Sequence, residues 1–146
     1  MSRLLGIDYG TTRVGLAISD PEKIIAYPFK TIDNDDIDSL LSRIGEIIAE
    51  KGVDLIVLGL PLNLKGEDSK MTVEVREFRN ELNKKFPKIP IHFIDERFTS
   101  KQAQDIMREV GEQPSRDKKT VDAISATLLL EVFIEKLDNN SGDEFE

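Results

Sequence analysis

The chain has 146 residues, of which 39% are hydrophobic and 33% charged, and it contains no cysteine. This length and composition are typical of one globular domain, and the lack of cysteine excludes a disulfide framework, a thiolate nucleophile and a cysteine zinc site. No apolar run approaches the roughly 20 residues that cross a bilayer, and the N-terminus lacks the pattern of a secretory signal. We therefore expect a cytoplasmic protein.

The formal net charge is −8, which disfavours nonspecific nucleic-acid binding because such binding usually needs a basic face. Half of that charge lies in the segment 138–146, which has four acidic residues and no Lys or Arg. We expect this segment to be a disordered tail that follows a domain of residues 1–137. Bound metal ions would still allow an acidic enzyme to act on a polyanion.

Three apolar segments open the chain at 4–7, 14–19 and 24–32, and the short links between them predict a meander of antiparallel strands. Helical spacing then begins at Asp36 and ends at Gly52, and 53–58 is predicted to be a central strand closed by a turn at Gly59. Beyond a loop at 62–70, the pattern predicts a helix at about 72–86, a strand at 91–94, a helix at about 100–110, a polar loop at 111–119 and a last helix at 120–137. This order predicts an α/β fold with a mixed sheet and helices on its faces.

Acidic residues stand at the boundaries of three of these elements. Asp8 ends the first strand, the pair Asp95 and Glu96 follows the strand at 91–94, and Asp122 lies near the start of the last helix. The spacing places Asp122 on the apolar face of that helix, which is the face that packs on the sheet. Ordinary explanations exist for each acid: an Asx turn, a solvated turn paired with Arg97, and a helix-dipole contact.

A shared explanation accounts for all three boundaries at once. Clustered carboxylates repel one another unless a cation holds them, and oxygen ligands suit Mg²⁺ or Mn²⁺. Two such ions can activate water and stabilise the leaving oxygen in phosphodiester hydrolysis. The pattern along the chain does not by itself bring the acids together.

Several other polar residues and glycines are candidates for substrate contact. A cationic side chain could bind phosphate, but it could equally be solvated or ion-paired, and a glycine could allow close backbone approach or simply form a turn. A lone histidine within a strand favours packing. The candidates are Arg13, Arg97, Lys118 and Lys119 for phosphate, Gly59 and Gly66 for close approach, and His92 for packing.

Four ordered segments resemble the motifs of the YqgF (RuvX) family of nucleases. They are Gly6–Ala17 (GIDYGTTRVGLA), Gly59–Asn63 (GLPLN) with Gly66, Asp95–Ser100 (DERFTS) and Lys118–Ala126 (KKTVDAISA). The resemblance covers about residues 3–137, and its order and spacing agree with the family. One departure is Thr12, which stands where the family often has a lysine that could contact phosphate.

The resemblance implies a ribonuclease H-like fold with a mixed five-stranded sheet flanked by helices. It further implies a metal-dependent nuclease that matures the 5′ end of pre-16S rRNA, with Holliday junction resolution as an alternative. Asp8, Glu96 and Asp122 would be the catalytic residues and the ligands of Mg²⁺ or Mn²⁺, with Asp95 as a substitute for Glu96. Substrate contacts would come from Arg13, Arg97, Lys118 and Gly59.

Two rival functions remain open. The turn Asp8–Thr12 is also similar to the phosphate-binding turn of sugar kinases and chaperone ATPases, but those proteins have two large lobes and this chain has room for one. The other rival is a non-catalytic module that binds rRNA or ribosomal particles. The pattern leaves open whether the substrate is RNA or branched DNA, what the oligomeric state is, and whether a ribosomal partner is needed.

Overall fold

A computed structural model describes residues 2–99 and 118–141 of the chain. The first half of the sheet is an antiparallel meander of β1 (Arg3–Tyr9), β2 (Arg13–Ser19) and β3 (Ala26–Asp33). The predicted start of the third strand at Ile24 is wrong by two residues. Asp20 Oδ1 accepts hydrogen bonds from the backbone N–H groups of Ile24 and Ile25 at 2.8 and 2.7 Å, so both residues belong to the preceding turn.

The second half of the chain alternates helices and strands. The elements are α1 (Ile37–Lys51), β4 (Val53–Leu60), α2 (Lys70–Lys85), β5 (Ile91–Asp95), a 3-10 turn (Glu96–Phe98) and α3 (Lys118–Ser141). Helix α1 begins where Asp36 caps the N–H of Ser39 at 2.8 Å and ends at Gly52, whose φ of 67° is the left-handed conformation.

Two differences from the predicted boundaries stand out in this half. Strand β4 continues through Gly59 to Leu60, so the predicted turn at Gly59 is wrong. Helix α3 reaches Ser141, four residues past the predicted end at Leu137, so the first part of the predicted tail is helical. The predicted helix at 100–110, most of the predicted loop at 111–119 and the rest of the tail lie outside the described residues.

The five strands form one mixed sheet in the order β3-β2-β1-β4-β5. Strand β1 pairs antiparallel with β2 and parallel with β4, and β5 continues the parallel half. This confirms the predicted five-stranded mixed sheet. The carboxyl ends of β1, β4 and β5 meet at the same edge, and Asp8 and Asp95 lie there because each is at the end of its strand.

Each face of the sheet has its own hydrophobic core. Side chains alternate along a strand, so Leu5 and Ile7 of β1 face α1 and α2, whereas Leu4 faces α3. The α3 side of the core contains Ala126, Leu129, Leu130 and Phe133 of the helix against Ala17, Val57 and Ile94 of the sheet. Asp8 has the same parity as Leu4, which places it on the α3 face.

Two glycines let α3 approach the sheet closely. A Cβ on Gly6 would lie 2.7 Å from Leu130 Cγ and 2.8 Å from the carbonyl oxygen of Ala126, and a Cβ on Gly15 would overlap the backbone carbonyl of Asp122. Any larger residue would therefore push the helix away. These contacts fix the first turns of α3 above the ends of β1 and β2.

Candidate active site

Asp8 is the next-to-last residue of β1 and lies on the α3 side of the sheet. Its partner across the β1–β2 ladder is Gly15, and the backbone of Asp122 rests directly on Gly15. The missing side chain at Gly15 therefore brings the start of α3 next to Asp8. This contact is how two acids separated by more than a hundred residues become neighbours.

Glu96 reaches the same place from β5. It is the first residue after that strand, and its side chain crosses Gly59, where an added Cβ would lie 2.8 Å from Glu96 Oε1 and 2.9 Å from its Cγ. Gly59 is buried within β4 beneath Glu96 and Leu129. The glycine thus has a packing reason that the prediction of a substrate contact did not include, namely room for the glutamate.

The electrostatics of Asp8 reflect this crowding. Burial raises the pKa of Asp8 well above its usual value, and a hydrogen bond with Glu96 and the negative charges of Glu96 and Asp122 raise it further. These effects all disfavour the ionised form of Asp8. Glu96 and Asp122 are thus both close enough to Asp8 to act on its carboxyl group.

Asp122 has a cationic partner. Arg13 Nε donates to Asp122 Oδ2 at 2.9 Å, and the two side chains are 28% and 22% exposed. Arg13 is the first residue of β2, and it lies on the same face of the sheet as Gly15. One of the four predicted substrate-binding residues therefore contacts a predicted metal ligand.

Asp95 and Glu96 point to different surroundings. Arg97 donates to Asp95 Oδ2 from Nε at 2.9 Å and from Nη2 at 2.6 Å, and these hydrogen bonds hold the pKa of Asp95 below its usual value. Asp95 is thus occupied by Arg97, whereas Glu96 contacts Asp8. The arrangement favours Glu96 over Asp95 as the acid of the site.

Arg97 also connects the end of β5 with the loop at 61–69. Its Nη1 donates to the carbonyl of Leu64 at 3.4 Å, and its guanidinium lies against Gly66, whose φ is 80°. Gly66 therefore serves both the turn and the contact with Arg97.

The geometry falls short of a complete metal cage. Within residues 2–99 and 118–141, no three His, Asp or Glu side chains are arranged so that they could hold a metal ion together. Asp8 and Glu96 supply two adjacent carboxyl groups, and the carboxylate of Asp122 is turned to Arg13. Asp8 and Glu96 are therefore the pair that could contact a cation together, with Asp122 at their side.

The remaining candidates are less close to the acids or lie outside the description. His92 is exposed and its ring packs against Phe133, with ring centroids 5.4 Å apart, so the expected packing role is confirmed. The side chains of Lys118 and Lys119 lie outside the described part of the chain. Gly6 and Gly15 were not predicted to have a role of their own, although a glycine inside an apolar strand is a known sign of close backbone approach.

Two further observations bear on other classes of function. A surface hollow of about 480 Å³ on the α2 side of the sheet is lined by Tyr9, three glutamates of α2 and Lys84, so its charge disfavours a polyanion. Over the described ranges, 2–99 and 118–141, the structure has no helix with the length and apolar character needed to span a membrane.

Known sequences similar to this chain cover nearly its whole length. One from Maridesulfovibrio salexigens is 42% identical over 132 residues, which are 90% of this chain and 97% of that protein. Another, from Porphyromonas gingivalis, is 39% identical over 140 residues, covering 94% and 99%. Both carry the name "Putative pre-16S rRNA nuclease".

Two similar solved structures are DNA junction resolvases. RuvC of T. thermophilus in complex with a Holliday junction substrate has a TM-score of 0.60 at 13% identity, covering 94% of this chain and 96% of that one. The fowlpox virus resolvase with Holliday junction DNA has a TM-score of 0.58 at 13% identity, covering 92% and 98%. At such low identity the likeness concerns the fold, and it confirms the predicted ribonuclease H-like architecture.

The family of this chain is shown by its sequence and not by its fold. Residues 2–136 match the RuvX family, which is described as Holliday junction resolvase. This match spans all four segments on which the resemblance was based. The chain belongs to the RuvX family.

Proposed function

We propose that this chain is a metal-dependent nuclease that hydrolyses phosphodiester bonds, with the 5′ end of precursor 16S rRNA as its substrate. The observation that carries the proposal is the pairing of Asp8 with Glu96 beside the charge of Asp122, at the edge where β1 and β5 end. Relatives that are 39–42% identical over nearly their whole length carry a name with that substrate. An rRNA substrate would place the protein in the cytoplasm.

The acids suit Mg²⁺ or Mn²⁺ better than any other ligand. Two adjacent carboxyl groups, with a third negative charge nearby, form a donor set of hard oxygens whose mutual repulsion a divalent cation would relieve. Asp8 and Glu96 would hold the metal, and Asp122 would complete the site. When bound, divalent ions would supply positive charge for the scissile phosphate and an activated water.

The protein's own groups would then orient the substrate. Arg97 presents a guanidinium that is fixed by Asp95 and by the carbonyl of Leu64, and a fixed guanidinium can form two parallel hydrogen bonds with a phosphate. Lys118 precedes Asp122 by one turn of α3 and would add a second cation. These groups would offset the net charge of −8 where the nucleic acid binds.

Branched DNA is the second candidate substrate. The description of the family and the fold of the two resolvases favour it, whereas the names of the full-length relatives favour RNA. A resolvase must cut two strands in a paired manner and therefore needs a two-fold dimer. Processing of one rRNA end needs no such symmetry, and ribosomal particles would be the partners that present the substrate.

The proposal is tested by cleavage of a precursor 16S rRNA 5′ segment and, in parallel, of a four-way DNA junction, with Mg²⁺ or Mn²⁺ and with EDTA. We expect metal-dependent RNA cleavage that falls at least about 100-fold in Asp8→Asn and Glu96→Gln, since even outer partners of a metal site contribute about 10–100-fold. Asp95→Asn is the matched control and should lose less than Glu96→Gln.

Each alternative has its own outcome. Cleavage of the junction alone would replace the RNA substrate with DNA. RNA binding without cleavage, with free 16S precursor and with ribosomal particles, would support the non-catalytic module. Full activity of Asp8→Asn would contradict the assignment of the site.

A further inference from the structure

The ion pair between Arg13 and Asp122 is the feature of the site that the proposed function does not yet use. We infer that Arg13 is a positioning residue that holds the carboxylate of Asp122 beside Asp8, and that it is not a direct contact for the scissile phosphate. The inference rests on the proposed function of the same site. It assigns Arg13 a role through another side chain.

The surroundings of Asp122 explain why it needs a cation. Its negative charge disfavours the ionised form of Asp8, next to which Glu96 also lies, so a positive charge nearby helps to keep three acidic side chains together. Arg13 Nε donates to Oδ2 at 2.9 Å and so places a guanidinium, whose donors suit a carboxylate, directly against this acid. Since Arg13 binds Oδ2, the other oxygen of Asp122 can face the site.

Arg13 has a second acid within its reach along the sheet, and it does not bond to it. In the β2–β3 ladder, Arg13 is the direct partner of Asp33. Cross-strand pairs of opposite charge are common, yet the described hydrogen bond of the Arg13 side chain goes to α3. The guanidinium is therefore directed toward the acids of the site.

The turn before β2 holds the backbone of Arg13 in position. Asn34 Nδ2 donates to the carbonyl of Gly10 at 2.7 Å, and the N–H of Asn34 donates to the carbonyl of Thr12 at 2.9 Å. These bonds tie the β1–β2 turn to the end of β3, directly before Arg13. A long side chain on so well-anchored a backbone is suited to hold another group in place.

A double-mutant cycle separates the two roles of Arg13. The variants are Arg13→Met, Asp122→Asn and the double variant, with Arg43→Met as a control that removes an exposed arginine of α1 on the opposite face of the sheet. If Arg13 acts through Asp122, the double variant should cleave as fast as Asp122→Asn, within about twofold. If Arg13 binds phosphate, the two losses should multiply, and that result would overturn the inference.

The kinetic constants give a second distinction. We expect Arg13→Met to lower kcat by about 10–100-fold, the range for outer partners of a metal site, with KM changed less than about threefold. A higher KM at unchanged kcat would indicate a lost ground-state contact with substrate and would contradict the positioning role. Arg13→Lys should recover part of kcat, because it keeps the charge but lacks the Nε donor.

Two measurements remain informative if no substrate is cleaved. Titration calorimetry with Mn²⁺ alone should show about tenfold weaker binding to Arg13→Met than to wild type and to Arg43→Met. In urea unfolding with EDTA, the substitution Arg13→Met should lower the unfolding midpoint more when it is made in wild type than when it is made in the Asp122→Asn variant. If wild type cleaves no substrate but the coupling between Arg13 and Asp122 is present, the proposed nuclease function is refuted and the interaction of the two residues is supported. If wild type is active but the coupling is absent, only the positioning role of Arg13 is refuted.

Discussion

Replacing Asp8 with Asn is expected to stabilise the folded chain at neutral pH while it abolishes cleavage. The folded-state pKa of Asp8 is raised above its ordinary value of 3.8 by burial, by Glu96 and by the charge of Asp122. As pH rises from the unfolded-state pKa of Asp8 to its higher folded-state pKa, the unfolded chain releases this proton before the folded chain does. Rising pH therefore favours the unfolded chain, and wild type loses stability. An Asn side chain has no proton to release, and its amide can still donate to Glu96.

The size of the effect follows from the proton affinities. Each tenfold difference in proton affinity between the folded and unfolded chain corresponds to about 1.4 kcal/mol, so the gain of Asp8→Asn at pH 7.5 measures how far folding raises that affinity. For a chain of this length, each such step of about 1.4 kcal/mol would raise Tm by about 3–6 °C. At about pH 3 most of the gain should vanish, because that pH lies below the ordinary value of 3.8 and Asp8 is then largely protonated in both states.

The assay is thermal and urea unfolding in EDTA at both pH values, with Glu46→Gln as the control. Glu46 is exposed in the middle of α1, so this variant removes one negative charge from the chain without touching the site. If Asp8→Asn is no more stable than wild type at pH 7.5, the reasoning is wrong. An equal gain in Glu46→Gln would attribute the effect to net charge alone.

Three further substitutions test the packing and the electrostatics of the site. Gly15→Ala should destabilise the fold by at least about 1–3 kcal/mol, seen as a lower urea midpoint, because the new methyl overlaps the backbone of α3. Gly59→Ala should displace Glu96 and weaken Mn²⁺ binding about tenfold with a smaller loss of stability, which calorimetry and urea unfolding measure together. Arg97→Met should raise the pKa of Asp95 toward its usual value in an NMR titration, because hydrogen bonds from Arg97 hold it low; an unmoved pKa would contradict that cause.

The architecture was largely predictable because most of its signals are local. Period-two and period-3.6 patterns gave the order of strands and helices, and the face of α3 containing Leu128, Leu129 and Phe133 is buried as expected. Boundaries failed where turn chemistry or strand pairing overrides composition. Ile24 and Ile25 have strong strand propensity, but their N–H groups bond to Asp20.

The choice between Asp95 and Glu96 shows where periodicity stops helping. Alternation along β5 predicts which face a residue occupies only while the chain stays extended, and the 3-10 turn begins at Glu96. The side chain of Glu96 also needs the space above Gly59, which comes from another strand. Neither condition is visible in the segment around the two acids.

Contacts between distant segments were beyond any local pattern. Arg13 and Asp122 are 109 positions apart, and their bond depends on how closely α3 approaches Gly15. The segments that resemble the family named both residues as parts of one site, but only the fold places them in contact. Whether Arg13 binds phosphate or positions Asp122 is therefore a question that only their hydrogen bond raises.

The docking of α3 also has a consequence for the chain while it is being synthesised. Ribosomes synthesise Asp8 and Glu96 well before Asp122, and domains tend to fold as their segments emerge. Until α3 arrives, the apolar side chains Leu4, Val57 and Ile94 lack the helix that packs on them, and long-range contacts of this kind form slowly. Under the proposed function, a partly synthesised chain would hold two of the acids but would not cleave, so cutting ability would arise only when the last helix closes the core.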